Sequence, residues 1–337
     1  MRKPAQLILK ALTMVIVLVV LGIVALNVYL VSRPAGKTIK AAGIISIPTP
    51  FKIGRPFIDY MTIDGERLYA GYASHGMVGV INTATNQALS GVGSLGRVHG
   101  VAIVPDLKLG FASSSGDNKV DVFELETNKL VKEIPAGDDP DAIIYDEKAR
   151  LVYAGNHNGK TATLIDPATL RVVATISLGG EPEYPQADPD TGVIYQNLED
   201  TNELVVVDPQ MQAVVKRFSL GPGTRPTGLA LDVANHRLFS TCSGKLIVLN
   251  TNTGAVVGVL PIGAGTDGAG YDPALKRVYT ANGVGSMTVI QQDSADKYHV
   301  LENAPTHFGG HSVTINPATH RIYVAYFGSI AAYDPIP

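Results

Sequence analysis

The residues of this 337-residue chain whose spacing could carry chemistry are histidines and carboxylates; there is one cysteine, Cys242, and no tryptophan. One cysteine excludes an intramolecular disulfide and a cysteine-based zinc site. Cys242 itself is expected to be a buried, inert thiol. The histidines and acids follow a pattern. An aromatic residue in an apolar run recurs along the chain, and twelve residues before each copy stand Phe57, His99, Asp141, Glu183, Thr227, Asp267 and His311. Imidazole and carboxylate together suit zinc, manganese or iron. They also form acid–base pairs, since histidine titrates close to neutral pH. His99, Asp141, Glu183, Asp267 and His311 are therefore the candidates for a divalent-metal or acid–base centre, with no catalytic role assigned to any of them. A polar, water-filled channel mouth is the plain alternative.

Other signatures of catalysis are missing. The sequence has no P-loop, no His-Glu-x-x-His, no Gly-x-Ser-x-Gly and no Cys-x-x-Cys-His. A Gly-x-Gly-x-x-Gly run at Gly91–Gly96 lies between two predicted strands with no helix after it, so a dinucleotide reading fails its context. Charge narrows the partners. The net charge is -3, but residues 1–40 hold Arg2, Lys3, Lys10, Arg33, Lys37 and Lys40 and no acid. What remains over 41–337 is 21 basic against 30 acidic residues, a net -9. Nucleic-acid binding needs a basic surface and is disfavoured.

The elements that must position these residues come from an internal repeat. The recurring aromatics are Tyr69, Phe111, Tyr153, Tyr195, Phe239, Tyr279 and Tyr323, spaced 42, 42, 42, 44, 40 and 44 apart. After each come a polar loop and a second apolar strand, such as Ala162–Ile165. An Asp or Asn turn follows (Asp166-Pro167, Asp208-Pro209, Asn250-Thr251), then a third strand and a Gly-rich connector. Asp and Asn suit such turns because their side chains bond the backbone two residues on. Four short strands per copy, repeated seven times, predict an all-β, seven-bladed β-propeller. The last copy stops after three strands. The spare segment Gly43–Ile47 ahead of the first copy is expected to supply the fourth and close the ring.

Strand direction in such a ring sorts the loops. The connectors and the loops after the aromatic strand share one face, the top. His75, His99, His157, His307 and His311, five of the eight histidines, map there. Asn156, Asn197 and Asn282 end or follow aromatic strands, and Asn156, His157 and Asn282 are expected to join the channel-mouth set. Glu199 and Asp200 occupy the matching loop of the fourth copy.

Tyr279-Thr280-Ala281-Asn282 and Tyr153-Ala154-Gly155-Asn156 resemble the Tyr-Val-Thr-Asn signature. Ile165-Asp166-Pro167-Ala168-Thr169 and the Gly-x-x-Pro connectors at Gly137–Pro140 and Gly179–Pro182 fit the same consensus. Over 41–337 the chain is similar to the YVTN-repeat β-propeller family, which includes YncE-like proteins. The resemblance implies the fold and says little about function, because members differ widely in what they do. Copies five and seven depart from the signature, with Phe239-Ser240-Thr241-Cys242 and Tyr323-Val324-Ala325-Tyr326.

Ahead of the repeats, residues 1–10 form a basic tail and 11–31 an almost uninterrupted apolar run, long enough as a helix to cross a bilayer core. The run is longer than a signal-peptide core and lacks a good cleavage site after it. It is expected to be an uncleaved signal anchor in the inner membrane, followed by a tether over 32–42 and the propeller over 43–337. The propeller is expected on the extracytoplasmic, periplasmic side; a cleaved, secreted form is the alternative. The functional expectation is a non-catalytic module binding a protein or small-molecule ligand, or serving as a scaffold, through its top face. The alternative is a metal- or cofactor-dependent hydrolase or oxidoreductase using the ring of His and acids.

Overall fold

The computed structural model describes residues 13–15, 17, 18, 22, 36–48 and 56–337. Among them are seven four-stranded antiparallel sheets in consecutive chain order, the blades of a propeller. The expected fold is observed. The seventh blade takes its outer strand from the other end of the chain. Ile39–Ser46 pairs antiparallel with Ser329–Pro335, from Ile39 opposite Pro335 to Ser46 opposite Ser329. This pairing gives the seventh blade its fourth strand and covers the edge of Ser329–Pro335.

The closing strand starts at Ile39, inside the segment expected to be a tether. The cause is burial: Ile39 is fully buried in one cluster with Tyr279, Ile322 and Tyr333. Glu302 of the sixth blade also holds the approach, accepting from the backbone N–H of Lys37 at 2.8 Å and of Thr38 at 2.9 Å. Among the described residues no helix is long and apolar enough to cross a membrane. The anchor expected over 11–31 lies outside the described residues apart from the six positions named above, which are helical.

Among the described residues the core is divided into seven apolar clusters that lie between adjacent blades. In one of them Phe111, Val120 and Ile134 of the second blade pack on Ile143, Val152 and Ile165 of the third. In another, Ile45 and Ile47 of the closing segment join Tyr323 and Ile330 to Ile58, Met61 and Leu68 of the first blade. The recurring aromatics fill these interfaces: Tyr69, Phe111, Tyr153, Phe239, Tyr279 and Tyr323 are at most 1% exposed. The Asp and Asn turns are built as the residue types dictate. Asp166 Oδ1 accepts from Ala168 N at 2.9 Å, and Asn250 Oδ1 accepts from Asn252 N at 2.9 Å.

The blades meet closely at the axis, and this fixes the inner backbone. Tyr60 N–H donates to His99 O at 3.0 Å, Asn197 Nδ2 donates to Thr227 O at 3.0 Å, and Thr227 Oγ1 donates to Thr266 O at 3.1 Å. At the first of these contacts a side chain is forbidden. A Cβ on Gly71 would lie 1.9 Å from His99 O, so only glycine lets the first two blades approach.

Candidate functional site

Each inner strand starts near the top of the axis, and the residues at or just before its start face their counterparts around the ring. The second, third, fourth, sixth and seventh blades contribute His99, Asp141, Glu183, Asp267 and His311 to one funnel of about 660 Å³, with Thr227 from the fifth. The first blade contributes Asp59, where counting by twelve points to Phe57. Phe57 lies one step higher on the wall, its ring 4.7 Å from that of His311. The offset has a simple origin. In the second blade four residues separate Val104 from its partner Leu109, whereas in the first only Gly65 and Glu66 separate Asp64 from Arg67. The shorter turn moves the equivalent position two residues towards the aromatic. A two-residue Gly-containing turn between strands was the sequence signal that would have found Asp59.

Asp59 is the centre of an alternating arc. Its Oδ1 is 2.9 Å from His311 Nε2, and His311 Nδ1 is 2.8 Å from Asp267 Oδ2. Its Oδ2 is 2.5 Å from His99 Nδ1, and the same nitrogen is 2.9 Å from Asp141 Oδ1. Five consecutive blades thus present Asp267, His311, Asp59, His99 and Asp141, acid and imidazole in turn. His99 Nε2 is held by Ser115 Oγ at 3.0 Å.

The other side of the funnel repeats the theme at the rim. His157 Nε2 is 3.3 Å from Glu183 Oε1 and 3.8 Å from Glu199 Oε2. Tyr60 Oη donates to Glu183 Oε2 at 3.1 Å, and Glu199 is also paired to Arg225. Among the described residues, two groups of three therefore have ligand atoms within 4.8 Å of one another: Asp59, His99 and Asp141, and His157, Glu183 and Glu199. The single metal set expected from the sequence is divided. Glu183 belongs to the rim group, and Asp267 stands behind His311.

Burial sets the protonation. It would raise the Asp59 carboxyl, but hydrogen bonds from His311 and His99 outweigh it and hold the group well below the usual carboxylate range. Burial would lower His99; the Asp141 and Asp59 carboxylates instead raise it to about 10. His311 is likewise held well above its ordinary value, because Asp267 and Asp59 overcome its burial. Burial dominates at Asp141, whose carboxyl is raised despite His99, and at Glu183, which is raised to about 8. The hydrogen bond to Glu183 raises His157 to about 9.

The remaining expected residues lie elsewhere. Asn156 and Asn282 are fully buried inside their blades and do not line the funnel. Asn156 Nδ2 donates to Thr161 Oγ1 at 2.9 Å and Thr163 Oγ1 at 3.0 Å, while Oδ1 accepts from Gly137 N at 3.2 Å. Asn282 does the same with Ser286 and Thr288. These side chains pin the connector to the blade. Of the other top-face histidines, His75 lies against Tyr72, and His307 stacks on Tyr326 at 4.4 Å. Cys242 is buried, and burial pushes its thiol up to about 11, as an inert thiol requires. The residues that spacing alone missed are Asp59, Tyr60, Ser115 and Arg225.

No family model matches the sequence, and no curated protein matches it. Among solved structures the chain is similar to a chain of hydrazine synthase from Kuenenia stuttgartiensis, with 17% identity and a TM-score of 0.73. The match covers 84% of this chain and 97% of that one. At this identity the likeness concerns the propeller fold alone.

Proposed function

We propose that the protein is a ligand-binding propeller whose top-face funnel takes a small polar molecule. One observation carries this: side chains from six of the seven blades converge at the axis, each within hydrogen-bond distance of a neighbour, when they could have splayed into solvent. A funnel of about 660 Å³ has the size of a small-molecule site. Its lining of Asp59, Asp141, Glu183, Asp267, Arg97 and Arg225 selects a polar occupant. The resemblance to YVTN-repeat propellers belongs to the same proposal, as does anchoring through 11–31 with the propeller outside the cytoplasm. Protease accessibility in intact and permeabilised cells tests the placement.

The binding test is a thermal-shift screen of the full-length chain against sugars, amines, carboxylates and nucleosides. A true ligand at a hundredfold its Kd adds about 2.7 kcal/mol of stability. Thr227→Phe fills the funnel without touching an ion pair and should abolish the shift. A panel without a hit that Thr227→Phe removes refutes the funnel and turns attention to a protein partner. A second reading, a metal- or cofactor-dependent hydrolase or oxidoreductase, draws on Glu183. Burial pushes the Glu183 carboxyl up to about 8 beside Tyr60 and His157, the direction a general acid needs. Turnover of the ligand, lost in Glu183→Gln, would establish it.

A further inference from the structure

We infer that Asp59, His99 and Asp141 form a site for one divalent transition-metal ion, held by one imidazole nitrogen and two carboxylate oxygens at the floor of the funnel. The inference deepens the funnel reading by naming what the floor binds.

The argument begins with a count of protons. His99 Nδ1 faces Asp59 Oδ2 at 2.5 Å and Asp141 Oδ1 at 2.9 Å. A ring nitrogen carries at most one hydrogen, so one carboxylate oxygen is left over. The left-over atom is identifiable. Asp141 Oδ1 is shielded from solvent and has no donor beyond the His99 nitrogen it shares with Asp59, on a side chain 13% exposed. A buried acceptor without a donor is destabilising, more so when charged. The doubly protonated ring changes nothing at Nδ1, which still offers one hydrogen to two carboxylates, and the neutral tautomer with its hydrogen on Nε2, 3.0 Å from Ser115 Oγ, turns the Nδ1 lone pair on both. A cation between the three atoms resolves both cases.

The spacing and the surroundings bear on the ion. Ligand atoms bonded at about 2.0–2.2 Å to one tetrahedral ion lie about 3.3–3.6 Å apart; here His99 Nδ1 is 2.5 and 2.9 Å from the two oxygens and all three atoms lie within 4.8 Å of one another. An imidazole in the set favours zinc, manganese or iron over calcium or magnesium, which take oxygen ligands. Outer groups hold the ligands in place as they do in metal centres. Ser115 fixes the His99 ring, and His311 holds Asp59 Oδ1 at 2.9 Å while bonded to Asp267 at 2.8 Å. The funnel leaves the remaining coordination positions open to water or ligand.

The test is titration of the chelator-stripped, full-length chain with Co²⁺ and Zn²⁺, read by Co²⁺ visible absorption and by calorimetry. The expected result is one saturable ion per chain. Asp141→Asn should weaken it at least about a hundredfold, since a direct ligand matters more than the outer groups. Loss of outer groups costs about 10–100-fold, and Ser115→Ala and His311→Gln should fall in that range. Asp293→Asn, in the exposed pair with His299, should leave binding unchanged. If Asp141→Asn does not fold, Ser115→Ala, which touches only Nε2, decides the question. No saturable binding overturns the inference, and so does binding that both Asp141→Asn and Ser115→Ala leave intact. Binding lost in Glu199→Gln alone moves the ion to the rim group and overturns it as well. A funnel that takes a small polar ligand but no metal would sink this site and leave the funnel reading standing.

Discussion

The arc of acids and imidazoles makes its sharpest prediction as a double-mutant cycle at Asp59 and His311. The pair is 2.9 Å apart, with the Asp59 side chain 6% exposed and that of His311 24% exposed. At that separation and an effective dielectric of about 20, the attraction is about 6 kcal/mol. Desolvating the carboxylate takes back several kcal/mol, and His311 is partly wet. A coupling of about 2–3 kcal/mol should remain, near the top of the range for residues in one network. Asp59→Asn and His311→Gln keep the shapes and remove the charges. Each single variant should lose about 2–4 kcal/mol, because each strands a charge in a buried setting. The double variant should lose clearly less than the sum. The assay is the denaturant midpoint of the full-length chain at pH 6.5 with chelator, which keeps metal out of the comparison. If the two effects add to within about 0.5 kcal/mol, as independent sites do, the arc is not a coupled network and the protonation assigned to it is wrong.

Three further outcomes follow from the same geometry. Without metal, stability should fall as pH rises, because the folded state binds protons more tightly at both Glu183 and His99. Glu183 acts between its ordinary 4.5 and about 8, and His99 between its ordinary 6.5 and about 10, where the loss is of the order of 5 kcal/mol. Urea midpoints from pH 5 to 10 should show this slope, and His99→Gln should flatten its upper part. Gly137→Ala places a Cβ 2.6 Å from Asn156 Nδ2 and should cost about 1–3 kcal/mol, while Gly93→Ala, with open space around it, should be neutral; thermal midpoints compare the two. Ile45→Ala opens a cavity where the closing strand meets the first and seventh blades and should cost about 2–4 kcal/mol by denaturant titration.

The sequence by itself determined the architecture. A propeller repeats one strand pattern, so the aromatic every 40 to 44 residues, the Asp and Asn turns and the spare strand at the N-terminus were all readable locally. Equivalent positions in a closed ring must also converge, so His99, Asp141, Glu183, Asp267 and His311 could be aligned before any coordinates. Tertiary structure decided the rest, for physical reasons that spacing does not carry. A turn two residues shorter placed Asp59 at the centre of the arc and moved Phe57 up the wall. The close packing of Gly137 and Gly263 against Asn156 and Asn282 turned two expected binding residues into buried struts. Contacts between blades distant in sequence, such as Asp59 with His311 or Tyr60 with Glu183, set which acid meets which imidazole. Protonation at the floor depends on burial and on those partners, and both exist only once the ring has closed.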